Sequence, residues 1–184
     1  MKEMKQHRIV RLLCAAAAAG ALVVLAGCAS GAHKEGMAAA PLASTKKLPY
    51  TVTVTTAGGQ DTGAMDSSNV ANADLKAAIE ESISRASLFK TVVQGKGGEY
   101  ELAVTVTQLE KPMFGGAFTV TLETGWALVR TNDKTIVMRK AIKTSHTAEL
   151  SDSLIGTTRL RLALEGAVRK NISEGLQSIS ALPI

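Results

Sequence analysis

The chain has 184 residues, 46% of them hydrophobic and 20% charged, with a formal net charge of +5. That length suits one domain of ordinary size. The charge is concentrated at the start, where Lys2, Lys5, Arg8 and Arg11 stand against Glu3; these carry +3 and leave +2 for residues 28–184, too near neutral for the basic patch that a nucleic-acid binder presents.

Behind that basic start, Leu12 to Gly27 is an Ala-rich apolar run of about 16 residues, the length of a signal h-region. A membrane-spanning helix needs about 20. The run closes on Leu25-Ala26-Gly27-Cys28. Leucine, two small residues and a cysteine resemble the lipobox of bacterial lipoproteins. The resemblance implies cleavage between Gly27 and Cys28, a diacylglycerol on the Cys28 sulfur and, as a rule, an acyl chain on the new amine. A plain secretory signal or a retained transmembrane helix is the competing reading, and neither calls for a cysteine there. Cys14 would leave with residues 1–27 and Cys28 would become a thioether, so the fold would rest on packing without a disulfide. By resemblance to enterobacterial sorting, Ala29 and Ser30, in place of an aspartate, imply the outer membrane's inner leaflet, facing the periplasm.

Residues 28–47 are rich in Ala, Ser, Gly and Lys and show no period, which predicts a flexible tether with an r.m.s. span of about 25 Å. His33, Lys34, Lys46 and Lys47 read as solvated tether charges that could brush anionic headgroups. A single domain is then expected over 48–184. Leu48 to Thr56 alternates as a strand, with Tyr50, Val52 and Val54 set against Thr51, Thr53 and Thr55. The glycine-rich stretch from Ala57 to Ser68 reads as a long loop.

A helix is predicted over Ala71 to Ser87, with Asn69 or Asn72 as its cap, Asp74 at the positive end of its dipole, and Leu75, Ala78, Ile79, Ser82, Ile83 and Ala86 as its buried face. Leu88-Phe89 should enter the core where the helix ends. Three strands follow: one with Tyr100, Leu102, Val104 and Val106, one with Phe118, Val120, Leu122, Trp126 and Leu128, and one with Ile136, Met138 and Ile142. Short links, including Asn132-Asp133, predict an antiparallel meander. The last helix should start at Leu154 or Thr157, with Ser151 or Ser153 as cap, and run to Ser180 with Leu160, Leu164, Val168, Ile172, Leu176 and Ile179 inward. Gly166 and Gly175 on it predict close contact with the sheet.

The order β-α-β-β-β-α, with one apolar face on every element, predicts an α+β two-layer sandwich: a four-stranded, mainly antiparallel sheet with two helices on one face. A threonine-rich face, including Thr119 and Thr121, would lie outside, either solvated or as a docking surface. Met113-Phe114 at a glycine-flanked hairpin tip would suit protein or membrane contact, or could fold back over the sheet edge. Trp126 shares the parity of the core.

The inventory of reactive side chains is thin. His146 with Glu149 gives His-x-x-Glu, short of the three protein ligands that zinc needs. No Gly-x-Ser-x-Gly is present, and Gly95-Lys96-Gly97-Gly98 lacks the Walker spacing. Arg161, Glu165 and Arg169 read as intrahelical ion pairs. No catalytic residue, metal site or cofactor is expected.

The lipobox, the element order, Ser87-Leu88-Phe89 and the run Ala163-Leu164-Glu165-Gly166-Ala167-Val168-Arg169-Lys170-Asn171-Ile172 together resemble small envelope lipoproteins of the YajG-like and LptE-like kinds and the auxiliary lipoproteins of ABC-type transport systems. That resemblance implies a non-catalytic accessory subunit of an envelope assembly, held to the membrane by its N-terminal lipid and bound to an envelope protein, with oligomeric state left open. The resemblance carries over no binding residues; on the reading of the hairpin tip and the threonine face above, partner contacts would fall on Met113, Phe114, Thr119 and Thr121. A carrier of an apolar ligand between helices and sheet is the alternative, and a membrane-anchored hydrolase using His146 the third.

Overall fold

The computed structural model describes residues 31–41, 46–63 and 66–184. Gly27 and Cys28, with the signal segment, lie outside the described residues. The elements run α1 (Lys34–Met37), β1 (Leu48–Ala57), α2 (Asn72–Ala86), β2 (Phe89–Val92), β3 (Tyr100–Glu110), β4 (Phe118–Arg130), β5 (Ile136–Ala148) and α3 (Gly156–Ser180).

The α+β class holds, but the sheet has five strands rather than four, in the order β2-β1-β3-β4-β5. It is mixed, with β1 parallel to both β2 and β3, and β3, β4 and β5 forming the expected antiparallel meander. The unexpected strand follows directly from the end of α2. Ser87 adopts the left-handed conformation at φ 50°, and the Leu88 N–H donates to the Ile83 carbonyl at 3.2 Å while the Ser87 N–H donates to Ser84. This is a Schellman stop, with Leu88 as its buried apolar residue. The chain therefore leaves the helix already extended, and Phe89 pairs beside Leu48. A four-residue edge strand containing Lys90 and Thr91 is too short to alternate visibly and too polar to attract another strand.

Burial follows the predicted parity along most of the long strands, but Ile136, at the start of β5 and beyond the cover of the last helix turns, is exposed while Met138 and Ile142 are buried. Val120, Leu122, Trp126 and Leu128 are buried on β4, with Thr124 among them, and Leu102 and Val104 on β3. On α2 the six residues read as its inner face are the buried ones. Helix α2 lies on β1 and β2, and α3 on β4 and β5. Neither helix has a side-chain cap; Asn72 instead accepts from the Gly59 N–H at 2.9 Å, tying the loop to the helix, and Ser153 Oγ accepts from Ile155 N–H.

Both glycines of α3 are contact points. A Cβ at Gly175 would sit 2.5 Å from the Trp126 ring, and one at Gly166 would collide with the His146 ring. The indole N–H is satisfied, donating to Thr124 Oγ1 at 2.8 Å and to Asn171 Oδ1 at 3.1 Å, while Asn171 donates to the Ile142 carbonyl. Trp126 is thus a core residue, as its parity predicted.

The predicted tether is corrected over residues 31–41. Ala32, Met37 and Ala39 are buried, and α1 packs against both α2 and α3, which touch each other little. Burying Met37 alone contributes about 1.5–3 kcal/mol. One helical turn among alanines and glycines carries no period, which hid this segment in the sequence.

Candidate functional site

The N-terminal segment is held by buried polar groups as well as by packing. The Glu165 carboxylate, 3% exposed, accepts from the His33 N–H at 3.0 Å and from Arg161 Nη1 at 3.0 Å. Arg169 Nε donates to the Gly36 carbonyl at 2.9 Å, and Ser82 Oγ accepts from the Ala39 N–H at 2.9 Å. Arg161, Glu165 and Arg169 are therefore more than an intrahelical ladder: two of the three reach across to residues 33–36. Gly36 is required here, because any side chain would run into the Glu165 carboxylate.

The strand directions bring the C-terminal ends of β1, β3 and β5 and the N-terminal end of β4 to one end of the sheet. There Met113 and Phe114 occupy the β3–β4 tip at 84% and 86% exposure. Phe114 does not fold back over the sheet. Beside them stand three residues that the sequence did not single out as contacts: Leu150, Leu154 and Ile155, at 53%, 87% and 64%. Leu154 and Ile155 fall off the Leu160-Leu164-Val168 stripe, and that mismatch was the available signal.

The turn that presents them is ordered. Asp152 Oδ2 accepts from the Glu149 N–H, and Arg159 donates to the Ser153 carbonyl at 2.7 Å while its guanidinium lies 5.0 Å from the Phe118 ring centre. An ideal Cβ at Gly116 would lie 3.6 Å from Leu150 Cδ1, so the two loops abut.

Residues 58–63 and 66–70 close the same end. Lys111 Nζ donates to the Ser68 carbonyl at 2.9 Å and Asn69 Oδ1 at 2.6 Å; burial pulls this ammonium below the ordinary lysine range, with Asp66 partly offsetting. The Asn69 carbonyl in turn accepts from the Ala32 N–H at 3.0 Å. The described chain therefore begins at this end of the sheet.

Thr119 and Thr121 start from that same end but lie on the outer face of β4. Thr119 shares a 2.8 Å hydroxyl hydrogen bond with Thr147, and Thr121 opposes Ser145. Glu123 faces Lys143 further along the same surface. It is a hydroxylated face, and the β4 backbone beneath it is paired on both sides.

For catalysis the arrangement offers little. His146 packs on Gly166, and burial together with Lys170 and Arg169 holds its pKa below the ordinary histidine value. The buried carboxylate Glu165 and the buried serine Ser82 are both engaged in holding residues 33–39. Among the described residues no three His, Cys, Asp or Glu side chains converge as metal ligands, and no helix is long and apolar enough to cross a membrane. A cleft at the opposite end of the sheet, lined by Tyr50, Glu99, Tyr100 and Arg130, has its charges occupied: Glu99 accepts from Thr51, and Arg130 pairs with Asp133 at 3.1 Å.

No family model matches the sequence, and no curated protein matches it significantly. Among solved structures, the chain is similar to protein XCC0632 from Xanthomonas campestris, assigned to family model DUF330, at 14% identity and a TM-score of 0.62, covering 78% of this chain and 91% of that one. It is also similar to the hypothetical protein CT253 from Chlamydia trachomatis, at 5% identity and a TM-score of 0.53, covering 73% and 97%. A minor lipoprotein from Acinetobacter baumannii aligns more loosely, at 8% identity and 0.47 over 73% and 93%. At these identities the first two establish a shared fold and nothing about activity.

Proposed function

We propose that this chain is a lipid-anchored envelope protein without catalytic activity, acting as a binding or accessory subunit on the periplasmic side of the outer membrane. The observation that carries the reading is the Leu25-Ala26-Gly27-Cys28 motif followed, within a few residues, by a segment clasped to the folded body through Glu165. An anchor joined to a docked segment holds the domain in a fixed relation to the membrane, which serves an accessory subunit better than a free-ranging carrier. The outer face of β3, β4 and β5 then points to a protein partner, with Thr119 and Thr121 on it.

The carrier alternative would need space between α3 and the sheet. Trp126 against Gly175 and His146 against Gly166 fill that layer at two places, and no observation favours a ligand there.

Photocrosslinking in cells from Thr121, followed by identification of the captured protein, tests the partner role. One reproducible envelope protein is expected. Adducts spread over unrelated abundant proteins would count against it.

A further inference from the structure

Among the described residues, the six exposed large apolar side chains are not scattered. Five of them, Met113, Phe114, Leu150, Leu154 and Ile155, stand at one end of the sheet, and only Ile136 lies at the other. A soluble monomer rarely gathers such side chains without a use for them. The chain also begins its docked path at that end, where the Ala32 N–H meets the Asn69 carbonyl. Cys28 is three residues before Gly31. At about 3.6 Å per residue, the covalent chain allows at most roughly 11 Å between them.

We infer that this end of the domain inserts its two apolar loop tips into the lipid bilayer beside the acylated Cys28, fixing the orientation of the whole domain. The inference rests on Cys28 being the lipid anchor. A bilayer, rather than a second protein, is the occupant that the anchor's short reach brings against these tips. The tips stand on two abutting loops, and entering the headgroup and acyl boundary requires no complementary shape. Nearby charge does not recruit anionic lipid: Lys111 is held by Ser68 and Asn69, Arg159 is buried, and Glu149 and Asp152 flank Leu150. Contact with lipid is therefore apolar, independent of salt and of lipid charge. With the tips immersed, the outer sheet face carrying Thr119 and Thr121 stays in water, open to a partner.

The test uses the full-length precursor expressed and lipidated in cells, purified and reconstituted into bilayers of zwitterionic lipid brominated in the acyl chains. Single tryptophans replace Phe114, Leu154 or, as a control at the opposite end, Asn132. These are loop positions, so folding is expected to survive, and buried Trp126 gives a constant background. Phe114→Trp and Leu154→Trp should lose more than half of their added emission to bromine, unchanged in 1 M salt, while Asn132→Trp loses less than a tenth.

Acylated protein in which positions 114 and 154 stay unquenched would overturn the inference and leave the anchor standing. Unquenched emission that is blue-shifted only in native envelope membranes would assign the tips to a protein partner, and overturn it as well. An intact mass without acyl chains would remove the anchor and this inference together.

Discussion

The backbone N–H of His33 donates to the carboxylate of Glu165 at 3.0 Å, joining the start of the described chain to the middle of its last helix. The same carboxylate accepts from Arg161, so one buried group satisfies two donors. Replacing it with alanine leaves both donors without a charged partner. Glu165→Ala should lower stability by about 2 kcal/mol, toward the low end for a broken buried pair because Arg161 keeps some contact with water. Urea denaturation measures the loss, and hydrogen exchange at residues 33–39 should accelerate far more than exchange in β4.

The contact between Gly175 and Trp126 makes a second prediction. Alanine would improve helix propensity by up to about 1 kcal/mol. The methyl would meet the indole at 2.5 Å, and overpacking of this kind costs about 1–3 kcal/mol. Gly175→Ala should therefore be net destabilising by about 1–2 kcal/mol, with a shift in Trp126 emission. Gly125→Ala on the outer face, where the nearest atom is 4.0 Å away, should cost nothing measurable.

Acid should weaken the fold partly through His146. Its folded pKa lies below the ordinary value near 6.5, because burial, Lys170 and Arg169 disfavour the imidazolium and Asp152 only partly offsets them. Between the two pKa values the unfolded chain binds more protons than the folded one, so stability rises with pH. The contribution is complete above about pH 6.5 and is lost as pH falls through that value. His146→Gln should flatten the fall in urea midpoint between about pH 7 and 5, while the wild type shows the steeper decline.

The outer sheet face makes a prediction of its own. Thr121 is partly exposed and has no role in the core. Thr121→Lys should leave the denaturation midpoint within about 0.5 kcal/mol of wild type while reducing co-purification of the envelope partner by tenfold or more. Loss of both together would mean that the site is structural.

Long periodic elements were legible from residue order alone. The stripe from Leu75 to Ala86 and the parity from Val120 to Leu128 are buried as their spacing required. Gly166 and Gly175 marked the helix–sheet contacts, because a helix keeps interior glycines where another group comes close. Pairing was not legible: nothing local in Val52 or Val54 says that β1 lies parallel between β2 and β3. Nor was docking of residues 32–39, since that segment's fit depends on Glu165 and Ser82, more than 40 positions away. The apolar end was half legible. Met113-Phe114 stood out among glycines, but only the fold brought Leu150, Leu154 and Ile155 beside it.

The account depends on Cys28 carrying lipid, and the mass of the mature N-terminal peptide tests that directly. Protein extracted from membranes should yield a peptide beginning at Cys28 with diacylglycerol on its sulfur, while Cys28→Ala should leave the precursor unacylated. A soluble wild-type protein whose peptides continue unmodified from Gly27 into Cys28 would contradict it.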